Sequence, residues 1–462
     1  MDDQPQTKPT SRAVVFIHGI GDQTPGSSVR SFVNGLLGGN LVWAADKPAP
    51  YVSSQDHLDS TYELRRLHVW SDRQTGRPGT DFFELYWADL MPPLTPSEGI
   101  NWLKGLGKRP YKDMPPQMRP VWLLTRVIGL LIVIAGLALA AIFGVTQART
   151  GLSKVLSFGP LVFVIGIVRG GVNSFLRSSL GDAARYLSPH PSNVAARSKI
   201  RARGLDLLDH LHADERYERV IIVGHSLGSV IAYDIVNLYW SSHRFFARDL
   251  PDSTDTQPAL ASYEVLSVEE PLDPAAHTAA QGELWEEDIR LGSRWLISDM
   301  ITLGSPLAHG QLLMADGAVD FERRQIQREL PCCPPLPDII RPGQSDEARV
   351  QAFSPAFAPS RRVLHVGGVF ASTRWNNLYF PVTWGFLGDP VGGPVAPQFG
   401  RGVVDHPVTS NLGFVRTRTP RAHSNYWSPS TPPTPLRDAN ETLRALLGFS
   451  TRSGGADDVE VR

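Results

Sequence analysis

The chain has 462 residues, 42% of them hydrophobic, 20% charged and 9% aromatic. Its 45 Lys and Arg face 46 Asp and Glu, a net charge of −1. That balance excludes a general nucleic-acid binder, which carries a basic excess, and a disordered chain, which is poorer in apolar residues. The only cysteines, Cys332 and Cys333, are adjacent, so neither a disulfide-framed secreted domain nor a structural zinc site is expected. With 41 Gly and 38 Pro, long irregular connections are expected.

Residues 1–12 are polar, lack a signal-peptide pattern and read as a flexible N-terminus. Ala13–Ile17 is a continuous apolar run, the pattern of a buried parallel strand, and it ends in His18-Gly19-Ile20-Gly21. Phe82–Trp87 reads as another strand. Val127–Val145 follows, 19 residues without a charged or strongly polar side chain. As a helix this run approaches the ~30 Å thickness of a bilayer's hydrocarbon core. A second run, Val155–Val168, continues past Arg169 toward Leu176. Residues 119–178 are therefore expected to form a transmembrane helical hairpin inserted into an α/β domain. A sheet cannot be divided by a bilayer, so strands at Val14–Ile17 and Val220–Val223 in one sheet require an even number of crossings. Lys104, Lys108, Arg109, Lys112, Arg119 and Arg126 precede the hairpin, and Arg169, Arg177 and Arg185 follow it. Only Arg149 and Lys154 lie between the runs. This excess places both flanks on the cytoplasmic side of an inner membrane. The alternative topology is a hairpin dipping into one leaflet.

Beyond the hairpin, Ala196, Ile200, Leu205, Leu208 and Leu211 recur at helical spacing within Ala195–Leu211. Val220–Val223 reads as a buried strand, Leu227–Leu238 as a helix, Met300–Leu303 and Arg374–Phe380 as strands and Leu436–Leu447 as a terminal helix. Alternating strands and helices imply a mostly parallel sheet covered by helices, formed by 13–118 and 179–450. Residues 242–282 and 308–360 lack a clear period and read as insertions, the candidate lid. Residues 451–462 read as a disordered tail.

The strongest local signal is Gly224-His225-Ser226-Leu227-Gly228, which follows a strand and opens a helix. A sharp strand-to-helix turn crowds its neighbours, so glycine is needed two positions either side of the serine. Such a turn lifts the hydroxyl of Ser226 out of the sheet as a nucleophile. Gly19, Gly21 and Gly26 do not complete a dinucleotide fingerprint, because position 24 is Thr, and no phosphate-cradling loop is present. No cofactor or metal is expected.

Together with His18-Gly19-Ile20-Gly21 and Thr302-Leu303-Gly304-Ser305-Pro306, this pentapeptide resembles the α/β-hydrolase superfamily, in its serine esterase and lipase-like branch. The late Asp389-Pro390 and His423-Ser424-Asn425-Tyr426-Trp427 are similar to bacterial membrane-associated hydrolases. The resemblance covers about residues 13–40 and 195–445. It implies an α/β-hydrolase fold and the chain order serine, acid, histidine. His243, His277, His309, His365, His406 and His423 all follow Ser226. His365 lies in an apolar run and reads as a core residue, whereas the resemblance points to His423. For the acid, Pro390 holds Asp389 extended at a strand end, and Asp405 in Val404-Asp405-His406 competes. The resemblance favours Asp389. It further implies an oxyanion hole from the N–H of Leu227 and of Ile20 or Gly19, with His18 and His225 in support. The implied protein is a membrane-anchored serine hydrolase acting on an ester of a lipid or hydrophobic substrate, with the bilayer as partner and no nucleic acid. An acyltransferase using the same residues and a non-catalytic membrane binding protein on this fold are the alternatives.

Overall fold

Apolar runs too hydrophobic to lie on a surface form the centre of one eight-stranded sheet, which more polar strands close at its edges. The computed structural model describes residues 11–20, 24–38, 49–55, 64–72, 76–91, 181–187, 190–243, 257–337, 352–353, 361–382, 388–429 and 437–449. It also describes single positions between 111 and 134. The strands are β1 (Ser11–Ile17), β2 (Val52–Gln55), β3 (Arg65–Val69), β4 (Gly79–Leu85), β5 (Tyr217–His225) and β6 (Ile297–Leu303). A two-residue pair, β7 (Ala352–Phe353) and β8 (Val363–Leu364), stands apart, and β9 (Arg374–Tyr379) and β10 (Val404–Pro407) complete the set. The spatial order is β10-β9-β6-β5-β1-β4-β3-β2. From β10 to β4 every pair is parallel. β3 and β2 close one edge antiparallel. β1 and β5 pair directly, so the strands before and after the two apolar runs share one sheet.

Successive residues of a strand face opposite sides, and β1 fills two cores accordingly. Ala13, Val15 and Ile17 pack with Ile200 and Leu208 of α3 (Pro191–Ala213) and Val230 of α4 (Leu227–His243), with Ala183 of α2 (Gly181–Leu187) in the same cluster. Val14 and Phe16 pack with Val29 and Phe32 of α1 (Ser27–Leu36) and with Leu443 of α8 (Ala439–Leu446). The architecture is a largely parallel sheet flanked by helices.

Several expectations shift. Ser11 and Arg12, assigned to the flexible N-terminus, belong to β1, and Arg12 is buried. The stretch 242–282 contains helix: α5 (Pro258–Ser267) and the start of α6 (Pro274–Arg290). Each opens on a proline, whose missing N–H costs nothing in a first turn, and Asp273 caps α6 by accepting from Ala275 N–H. Leu260, Tyr263 and Leu284 of this pair join the larger core, so it packs as part of the domain. Within 308–360, α7 (Ala318–Ile326) packs through Phe321. Among the described residues no helix is long and apolar enough to cross a membrane. The runs 127–145 and 155–168 lie outside the described residues, apart from Val127, Leu130 and Ile134. Residues 1–10 and 451–462 lie outside them as well.

Candidate active site

β5 ends at His225 and α4 begins at Leu227, so Ser226 alone makes the turn. It does so with φ 53°, a left-handed conformation that costs a non-glycine residue energy. The flanking glycines are a packing necessity. A Cβ on Gly224 would lie 2.5 Å from Ser229 Cα, and one on Gly228 would lie 2.1 Å from Ile17 O. Ser226 N–H donates to Leu303 O of β6 at 2.9 Å, and Ser229 Oγ lies 2.5 Å from Ser226 O and 2.6 Å from Ser305 Oγ. The strained turn is therefore held from below by its neighbours.

His423, in the turn Pro420–Ser424, places Nε2 2.8 Å from Ser226 Oγ and Nδ1 2.9 Å from Asp389 Oδ2. A carboxylate only accepts, so Nδ1 carries the proton and the bare Nε2 faces the serine hydroxyl. Asp389 is completely buried. Its Oδ1 accepts from Val391 N–H at 2.9 Å and Gly392 N–H at 3.2 Å, and its Oδ2 also accepts from Tyr426 Oη–H at 2.6 Å. Burial works to raise this carboxyl, but the His423 imidazole, the Tyr426 hydroxyl and Gly392 N–H outweigh it and hold it below the usual range. Gly304, φ +57°, runs beneath the pair. A side chain there would put a Cβ 2.7 Å from Asp389 Oδ2 and 3.0 Å from His423 Nδ1.

Two further imidazoles brace this cluster. His225 Nε2 lies 2.7 Å from the backbone O of His423 and must donate to it. Burial and the neighbouring His423 push His225 down to about 3, so the bond is made by a neutral ring. His18 stacks on Trp87, interplanar angle 7°, and its Nδ1 lies 2.7 Å from Gly19 O. Trp87 N–H donates to His18 Nε2 at 3.3 Å and Trp87 Nε1–H to His18 O at 2.9 Å. Burial pushes His18 down to about 4, again a neutral ring. The carbonyls of residues 18 and 19 are thus tied back, which turns the amides that share their peptide planes, Gly19 N–H and Ile20 N–H, the opposite way. Gly19 lies against the serine: a Cβ on it would sit 2.9 Å from Ser226 Cβ. The far end of this loop is held by Glu84 of β4, which accepts from Gly26 N–H and whose carboxyl burial pushes up to about 7. Leu227 is the first residue of α4, where backbone N–H groups have no partner within the helix.

The other expected candidates lie elsewhere. Asp405 accepts from Val395 and Ala396 N–H, each at 2.9 Å, and from Asn377 Nδ2–H at 2.7 Å, so it anchors a loop instead of meeting His423. His243 pairs with Asp209 at 3.1 Å and His277 lies 3.3 Å from Tyr263 Oη. His365 is a buried residue bonded to Leu336 O, and His406 contacts Asn376. His309 is fully buried beside the 389–391 turn, and burial pushes it down to about 4. Sequence reading missed the parts of Tyr426, Trp87 and Glu84. Only the first had a signal, as one of the residues carrying the resemblance. Among the described residues no group of three or more His, Cys, Asp or Glu could hold a metal ion. Comparison with known proteins finds no matching family model, curated protein or solved structure.

Proposed function

We propose that this is a serine hydrolase on an α/β-hydrolase fold, cleaving a carboxylic ester of a lipid or other hydrophobic substrate through an acyl-Ser226 intermediate. The observation that carries the reading is the unbroken chain from Ser226 Oγ through His423 to Asp389, with its nucleophile held at φ 53°. His423 Nε2 takes the hydroxyl proton as Oγ attacks the carbonyl carbon, and Asp389 stabilises the imidazolium that forms. The N–H groups of Leu227 and Ile20 receive the oxyanion. As the tetrahedral intermediate collapses, the bond to the alcohol oxygen breaks and His423 hands its proton to that oxygen. Water, deprotonated by His423, then attacks the acyl carbon, and Ser226 Oγ leaves with the proton returned from Nε2.

The hydrophobic substrate class follows from the proposed membrane anchor. Trp122, Leu123, Arg126, Val127, Leu130 and Ile134 are helical. Leu123, Val127, Leu130 and Ile134 are exposed at helical intervals that lead into the uncharged run 127–145. Arg126 lies over the Trp122 ring, 4.2 Å from its centroid, the aromatic and basic pairing that suits a bilayer boundary. An inner-membrane hairpin with the sheet on the cytoplasmic side accounts for these features.

A fluorophosphonate probe tests the catalytic reading. Folded native chain is expected to label at Ser226, and Ser226→Ala to abolish both labelling and turnover of short and long acyl esters. Absence of labelling in folded protein, or turnover unchanged in Ser226→Ala, overturns it.

A further inference from the structure

We infer that the loop leading into His423 is a lip that docks on an anionic bilayer surface and brings the active site to its substrate. The 32 residues from His406 to Arg437 contain four arginines and no Asp, Glu or Lys, in a chain whose net charge is −1. Three of those arginines, Arg416, Arg418 and Arg421, are exposed, and among the described residues none of their guanidinium groups makes an ion pair. Phe414, in the turn Phe414–Thr417, shares this segment and is 61% exposed, a large apolar side chain in the same stretch as the three arginines. The segment is fastened to the catalytic loop: Asn425 Nδ2–H donates to Arg416 O at 3.2 Å and to Arg421 O at 2.6 Å, two residues past the proposed base. Whatever holds the arginines therefore holds the rim of the site.

A segment that carries an exposed aromatic together with exposed guanidinium groups, none ion-paired among the described residues, matches a headgroup layer, where cations meet lipid phosphates while a ring enters the acyl boundary. A nucleic acid would reward the arginines but leave Phe414 in water. A bilayer also agrees with the exposed stripe Leu123, Val127, Leu130 and Ile134 in the same chain. The docking surface stands on the charge pattern and the exposed Phe414, whereas its role in presenting ester substrate rests on the hydrolase reading.

The test uses the full chain reconstituted in liposomes, with Phe414→Cys carrying an environment-sensitive fluorophore. Cys332 and Cys333 are buried, and burial pushes the Cys332 thiol up to about 12, so both resist the label. In liposomes containing one third phosphatidylglycerol the probe is expected to shift to the blue and to be quenched by brominated acyl chains. In pure phosphatidylcholine both signals weaken. Replacing Arg416, Arg418 and Arg421 together by Gln is expected to lower the ratio of docked to undocked lip on the order of a hundredfold, about fivefold per arginine. Turnover of a water-soluble short ester by that triple variant stays at the native level. A probe that remains water-exposed on anionic liposomes, that docks equally well after the triple replacement, or that responds only to RNA overturns the proposal. Loss of all esterase activity in native chain, with the probe still docking, overturns the hydrolase reading and leaves the lip standing.

Discussion

Two carboxylate–imidazole pairs of similar make stand at opposite ends of the sheet. At the carboxyl ends of the strands, Asp389 takes His423 at 2.9 Å and the hydroxyl of Tyr426 at 2.6 Å. Near the amino ends, Asp81 takes His68 at 2.5 Å and the hydroxyl of Tyr217 at 2.7 Å. The first pair continues into Ser226 on a strained turn at the N-terminus of a helix. The second stops: His68 stands edge-on to Trp70, Arg66 approaches Asp81, and among the described residues no hydroxyl bonds the free nitrogen of His68. An oriented imidazole is therefore a common structural element. A reactive site also needs a nucleophile that the backbone forces into reach, and parallel strands offer that place where they hand over to helices.

Breaking each carboxylate gives the largest contrast. Asp389→Asn is expected to cut kcat about 10⁴-fold, because the amide favours the wrong tautomer of His423. Asp81→Asn is expected to lower the unfolding free energy while the folded fraction turns over normally. Steady-state kinetics beside chemical denaturation separates the two, and equal kinetic losses would show that the pairs do not differ in kind. The two tyrosines differ in the same way. Tyr426→Phe removes one donor from Asp389 without touching substrate, so kcat should fall about tenfold with KM unchanged. Tyr217→Phe should cost about 1–2 kcal/mol of stability and leave kcat alone. The last effect is collective and depends on pH. His18, His225 and His309, at the Ser226 end, are pushed by burial below the ordinary imidazole value of 6.5, to about 4, 3 and 4. The folded state binds fewer protons than the unfolded one, so the stability present above pH 6.5 is lost as pH falls through these values. Tm measured from pH 7 down to 4 should decline steadily, and a flat profile would show that these rings accept protons in place.

Much of the frame was readable from local pattern. The central strands are uniformly apolar because both faces are covered, and β1, β5 and β6 lie where those runs stand. The edge strands escaped because one side of each meets water or a polar neighbour: β2 reads Val-Ser-Ser-Gln and β10 Val-Asp-His-Pro. α1 carries Val29, Phe32, Val33 and Leu36 at helical spacing, a signal the sequence does contain. α5 and α6 hid behind poor periodicity, yet each opens on a proline at its first position. Asp389 and Asp405 read alike as turn carboxylates apart from the resemblance that favoured Asp389, and their partners tell them apart. Asp405 is consumed by two backbone amides and Asn377, whereas Asp389 keeps one oxygen for His423 and Tyr426.

By itself the sequence determined the strand-turn-helix at 224–228, since the crowding that demands two glycines acts between atoms a few residues apart. It also determined the long uncharged run at 127–145, a property of composition. The meeting of Ser226 with an imidazole 197 positions away, and of that imidazole with Asp389, was implied by the family resemblance but is made only in the folded chain. Those meetings depend on strand order and loop anchoring, which bring distant residues together through contacts that no local spacing encodes.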